Sequence, residues 1–148
     1  MRLICAGITD VGVARDHNED DFYLSQDGEP LCVVADGMGG HRSGEVASAL
    51  AVETIIKYYQ DTVLDPEDEA AAVGSRFWPF RRKKPDGAEE LRLVQAILCA
   101  NKAIFDASAK NEGLGGMGTT VVAAYFVEHG LVIAHIGDSR AYRVRDGE

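Results

Sequence analysis

Apolar positions along the chain form short strand-length runs toward both ends, with two longer helical patterns between them. Ile4 to Val13 opens as a strand, Leu3-Ile4-Cys5-Ala6-Gly7-Ile8, and runs into a Thr9-Asp10-Val11-Gly12 turn. Arg15-Asp16-His17-Asn18-Glu19-Asp20-Asp21 is polar throughout, and Phe22-Tyr23-Leu24 follows as a second strand. Asp27-Gly28, inside a turn at Gln26–Pro30, is a strong hairpin signal. It predicts antiparallel pairing with Leu31-Cys32-Val33-Val34-Ala35, an apolar run suited to a strand covered on both faces. In that hairpin Glu19 and Asp20 enter one strand at the end where Asp36 leaves the other, which brings the carboxylates together.

From Ser43 to about Tyr59 the pattern turns helical, with Ser43 available as N-cap and Ala49, Val52, Ile55, Ile56 and Tyr59 at core spacing. Thr62 to Gly87 breaks all periodicity. Acidic residues there give way to Arg76 and Arg81-Arg82-Lys83-Lys84, which reads as a long surface excursion anchored by Phe77, Trp78 and Phe80. A second helix is predicted from about Ala88 to Lys110, with Leu91, Val94, Ile97, Leu98, Ile104 and Phe105 on one side and Gly113, Gly115 and Gly116 stopping it. Thr119 to Val127 and Leu131 to Ile136 form a strand pair around a Glu128-His129-Gly130 turn. Their weak alternation predicts that both faces are covered. His135 in this run reads as a core or edge histidine. Ala141 to Arg145 alternates with period two and ends in Asp146-Gly147, a turn that calls for a partner strand. The expectation is therefore a piece of a longer domain, cut at a hairpin turn.

A chain of 148 residues, 46% hydrophobic and 26% charged, is long enough for one domain with a core. Its net charge of −9 argues against general nucleic-acid binding and is compatible with a site that collects divalent cations. No apolar run approaches the roughly 18–20 residues that span a bilayer, and the N-terminus lacks a signal-peptide core. Cys5, Cys32 and Cys99 lie in apolar surroundings at wide spacing, as reduced core residues would, and a cytoplasmic location is expected.

The stretch Asp36-Gly37-Met38-Gly39-Gly40-His41 admits two readings: a strand-to-helix turn with Asp36 as a local cap, or a cation site with the Gly37 carbonyl turned toward it. Glu19, Asp20 and Asp138 also stand at strand ends or their approaches, with Arg15 nearby. An all-oxygen set suits Mg²⁺ or Mn²⁺, and no His/Cys cluster has zinc spacing. Two such ions bridged by one carboxylate activate water for in-line phosphoryl displacement, while an arginine grips the phosphate in a fork. The implied chemistry is phosphate-ester hydrolysis. Phosphoryl transfer of the kinase kind fits worse, since no GxxxxGK[ST] loop or kinase signature is present.

Arg15-Asp16-His17-Asn18-Glu19-Asp20, Val34-Ala35-Asp36-Gly37-Met38-Gly39-Gly40-His41, Gly118-Thr119-Thr120 and Gly137-Asp138-Ser139-Arg140-Ala141-Tyr142 together resemble the successive motifs of the metal-dependent, type-2C protein serine/threonine phosphatases, in their bacterial branch. The resemblance covers nearly the whole chain. It implies an α+β fold, two stacked antiparallel sheets flanked by helices, of which residues 1–148 form the N-terminal portion with an insertion at 62–87. It also implies that Asp36 bridges two central metals, that Gly37 completes one through its carbonyl, and that Glu19 and Asp20 serve the second. Arg15 then binds phosphate, Asp138 holds a third, weaker metal, and His41 substitutes as general acid because Met38 follows Asp36-Gly37. The activity implied is Mn²⁺- or Mg²⁺-dependent hydrolysis of phosphoserine and phosphothreonine in phosphoprotein substrates of a cognate kinase. Two further metal-binding aspartates of the family, in Ser-Asp-Gly and Asp-Asn motifs, are missing here, so this piece alone is expected to be poorly active. A catalytically impaired relative that binds phosphoproteins, and a small-molecule phosphatase, are the alternatives.

Overall fold

The computed structural model describes residues 3–25, 30–39, 43–62, 87–128 and 130–147. β1 (Asp20–Tyr23) pairs antiparallel with β2 (Leu31–Met38), as the Asp-Gly signal predicts, although turn residues 26–29 lie outside the described residues. α1 (Ser43–Asp61) and α2 (Ala88–Lys110) follow, and a 3₁₀ turn at Glu112–Leu114 ends the helical region. β3 (Gly118–Thr119), β4 (Val121–Val127) and β5 (Gly130–Ile136) complete an antiparallel sheet in the order β1-β2-β4-β5, with β3 alongside the end of β2. This is the expected α+β architecture. The body of the predicted excursion, residues 63–86, lies outside the described residues.

One face of the sheet packs on the helices. Leu31, Val33 and Ala35 of β2, with Val121, Ala123 and Tyr125 of β4, meet Ala51, Val52, Ile55 and Tyr59 of α1 and Leu93, Ala96, Ile97 and Ala100 of α2. Period-two alternation sends Cys32, Val34 and Asp36 to the opposite face. There the expectation of two covered faces fails among the described residues: Val34, Leu131 and Ile133 are each close to half exposed. Apolar character alone does not distinguish a covered strand from one whose second face is open.

Four further expectations are not met. Residues 3–13 form no strand, because they lie over the β1–β2 face through side chains (Cys5 on Cys32, Gly7 against Phe22 and Leu24) and not along a free edge. Ala141–Arg145 alternates but pairs with no described strand, leaving Tyr142 and Val144 exposed. In α2 the buried stripe is set by small alanines plus Arg92, Leu93 and Ile97, and Phe105 points to solvent. Cys99 is likewise exposed, not core.

Arg92 explains its own burial. Its Nη2 donates to the carbonyls of Tyr59 (2.7 Å) and Thr62 (2.6 Å), acceptors at the C-terminal end of α1 that the helix itself leaves open. The guanidinium also stacks 4.2 Å from the Tyr59 ring centre. One charged side chain thus ties α2 to the end of α1.

Candidate active site

The antiparallel registers build the site as a single row across the sheet. Asp20 on β1 lies directly opposite Asp36 on β2. On the other side of β2, Val34 faces Val122 and Gly37 faces Thr119, so the same register sets Thr120 opposite Asp36. Carrying the β4–β5 register one residue past the Val121–Ile136 pair sets Gly137 opposite Thr120. Asp138 follows immediately. Residues far apart in sequence thus come together because opposing positions in a sheet share a face.

Thr120 departs from the regular ladder. Its N–H donates to the Asp36 carbonyl at 2.8 Å, but the Asp36 N–H donates to the Thr120 hydroxyl at 3.1 Å and not to its carbonyl. That hydroxyl lies 2.6 Å from the Ser139 hydroxyl. A chain of hydrogen bonds therefore runs from the backbone of Asp36 to the residue after Asp138. Gly137 is required for this closeness: it has φ +97°, and a Cβ there would lie 2.7 Å from Thr120 Cγ2.

Glu19 precedes the row and is largely buried, with 14% of its side chain accessible. Its carbonyl accepts the Gly37 N–H at 2.9 Å, and its Oε2 accepts from Arg15 Nη1 at 2.9 Å. Its Oε1 is buried without a hydrogen-bond partner among the described residues and is pressed against Gly44, in the first turn of α1. Gly37 and Gly44 meet backbone to backbone, so that a Cβ on Gly37 would collide with the Gly44 carbonyl. The strand carrying Asp36 and the start of α1 are therefore in direct contact. Ser43 opens α1 and its hydroxyl donates to the Gly39 carbonyl at 3.2 Å.

The electrostatics follow from this crowding of like charge. Partial desolvation raises the Asp36 carboxyl above its ordinary value. The charges of Asp20 and Asp138 push it the same way, as does a hydrogen bond with Asp20, while Arg15 opposes them. Three carboxylates and one guanidinium thus act on one another at the end of β2. Among the described residues, no three carboxylate, imidazole or thiol groups converge into a ready-made cation cage. An open acidic row suits a hard cation that keeps part of its water shell, and an orphaned buried oxygen such as Glu19 Oε1 suits it too. The residues present fit such an ion.

Of the residues singled out from sequence, Arg15, Glu19, Asp20, Asp36, Gly37 and Asp138 are gathered at one end of the sheet. His41 lies outside the described residues. His135 is exposed on β5, the strand at one edge of the sheet. Sequence reasoning gave no role to Thr120, Ser139 or Gly44. The first two lie within quoted motifs, but only the cross-strand register shows what their hydroxyls touch.

Residues 13–148 match the family described as Protein phosphatase 2C. The chain is 36% identical over 140 residues to "Serine/threonine phosphatase stp" of Listeria monocytogenes, covering 93% of this chain and 48% of that protein. It is 36% identical over 143 residues to "Serine/threonine protein phosphatase PstP" of Mycobacterium tuberculosis, covering 97% of this chain and 23% of that protein. It therefore spans about half or less of the length of these relatives. Among solved structures, the catalytic domain of PstP in complex with two manganese ions superposes with TM-score 0.69 at 35% identity, covering 94% of this chain and 50% of that one. "Serine/threonine phosphatase Stp1" of Staphylococcus aureus superposes with TM-score 0.65 at 30% identity, covering 93% and 48%.

Proposed function

Because the chain belongs to the protein phosphatase 2C family, we propose that it forms the N-terminal part of one phosphatase domain that hydrolyses phosphoserine and phosphothreonine in proteins. The observation that carries this reading is the acidic row: Asp20 opposite Asp36, with the Asp138 charge acting on the same carboxyl. Asp36 and the Gly37 carbonyl would hold a divalent cation of the Mn²⁺ or Mg²⁺ class, Glu19 and Asp20 would serve a second, and Asp138 a third. Such ions, when bound, supply Lewis acidity toward a water and toward the phosphoryl oxygens.

The chain's own residues do the rest. Arg15, 72% exposed at its side chain and held by Glu19 Oε2, presents its remaining N–H groups to two phosphoryl oxygens. Its charge grips the substrate and offsets the growing negative charge on phosphorus. The water oxygen forms a bond to phosphorus and gives up a proton to solvent as the bond to the serine or threonine oxygen breaks, and the leaving oxygen takes up a proton. His41 is proposed as the donor. Thr120 holds the backbone of Asp36 in place throughout. The substrates are phosphoproteins of a cognate kinase, and a cytoplasmic setting is proposed; among the described residues no helix is long and apolar enough to cross a membrane.

Asp36→Ala in the full-length protein tests the reading. The expected outcome is loss of Mn²⁺-dependent phosphopeptide hydrolysis with an unchanged circular dichroism spectrum. Undiminished turnover would overturn the assignment of Asp36.

A further inference from the structure

Cys5 and Cys32 are 27 positions apart in sequence, yet their sulfur atoms lie 3.7 Å from each other. Both are half-buried. Cys32 belongs to β2 and lies on the same face as Val34 and Asp36, away from the helices. Cys5 belongs to the N-terminal segment that crosses this face, and the segment is pressed close: a Cβ on Gly7 would lie 2.8 Å from the Phe22 ring. Burial, then the contact with Cys32, pushes the Cys5 thiol up, while the backbone of Ser25 stabilises its anionic form.

The geometry leaves little to do for a covalent bond to form. A disulfide needs its sulfurs about 2.05 Å apart, so they must close by about 1.7 Å. β2 is fixed by ladders on both sides, whereas Cys5 lies in neither strand nor helix and its segment can supply the movement. We infer that Cys5 and Cys32 form a reversible intramolecular disulfide when the protein meets a hydroperoxide.

In the first step one thiolate attacks the peroxide, an S–O bond forms, the O–O bond breaks and an alkoxide or hydroxide leaves, taking up a proton. In the second step the other sulfur attacks the sulfenic sulfur, the S–S bond forms, the S–O bond breaks and water leaves. Two thiols lose two hydrogen atoms, and one hydroperoxide becomes one alcohol (or water) and one water. Thiol–disulfide exchange with a dithiol restores the pair. The closed loop contains Arg15, Glu19 and Asp20, and its cross-link joins the segment leading to Arg15 to the strand carrying Asp36. Oxidation therefore ties two parts of the acidic site together.

The test treats the folded protein with stoichiometric hydrogen peroxide, alkylates the remaining thiols and maps the peptides. Wild type and Cys99→Ser are compared, because the exposed Cys99 thiol gives products between molecules. The expected result is a single cross-linked species holding Cys5 and Cys32, lighter by two hydrogen atoms and released by dithiothreitol. Oxidation is also expected to raise the unfolding midpoint by roughly 5–10 °C through loop closure, an increase absent from Cys5→Ser and Cys32→Ser. Recovery of both cysteines as separately alkylated or over-oxidised peptides would overturn the inference. Mapping of the wild-type protein decides this even if a variant fails to fold.

Discussion

Thr120 shows how much of the site rests on one hydroxyl. It accepts from the Asp36 N–H and contacts Ser139, while its own N–H donates to the Asp36 carbonyl. Thr120→Val keeps the shape and removes both hydroxyl contacts, leaving the Asp36 N–H without its acceptor. The variant is expected to lose about 1–2 kcal/mol of stability in urea titration. Phosphopeptide kcat/KM is expected to fall on the order of tenfold, mainly in kcat, as for a displaced reacting group. Gly37 makes the complementary point about space. Gly37→Ala drives a methyl group into the Gly44 carbonyl and the Glu19 carbonyl, both backbone atoms with no rotamer to change. We expect a loss of about 3 kcal/mol or more, read as a lower unfolding midpoint. The motif glycines were visible in the sequence, but which backbone Gly37 meets was not.

At the scale of elements, the two helices are joined by more than apolar burial. Arg92 lies among the alanines of α2 and closes the open carbonyls at the end of α1, with its flat face on Tyr59. Lysine keeps the charge but lacks the fork and the stacking plane. Arg92→Lys is therefore expected to cost about 1–3 kcal/mol in chemical denaturation while leaving metal-dependent turnover per folded molecule unchanged. The extents of α1 and α2 were legible from periodicity, Ala88–Lys110 to the residue. Their buried faces were less so, since the large side chains Phe105 and Leu91 suggested one phase and the packing of Ala96 and Ala100 chose another. Close packing of α2 against α1 selects small residues, and a count of large apolar positions cannot register that choice. The strand predicted over Ala141–Arg145 failed for a related reason: alternation gives a segment two faces, but a strand exists only where another backbone accepts its hydrogen bonds.

For the whole molecule, the acidic row makes a prediction that does not depend on turnover. Cations that bind the folded state and not the unfolded chain raise the midpoint by mass action, about 2.7 kcal/mol at a hundred times the dissociation constant. Mn²⁺ is expected to raise the thermal midpoint of the wild-type protein, and a chelator to reverse it. Asp36→Ala is expected to abolish the shift; an equal shift in that variant would place the cation elsewhere. The family and its α+β class could be read from the chain, and so could the groups Arg15, Glu19, Asp20, Asp36, Gly37 and Asp138 that the structure gathers at one end of the sheet, because each motif is local: an acidic run, a strand ending in Asp-Gly, a glycine before an aspartate. The sequence by itself thus determined which chemical groups are available and roughly which elements carry them. Only the tertiary structure decided that Thr120 joins Asp20 and Asp36 in one row, that Thr120 fastens Asp36 to Ser139, and that Cys5 touches Cys32. Those facts depend on strand register and on the path of the chain across a face, which are set by the summed packing of distant segments and are written in no single stretch of residues.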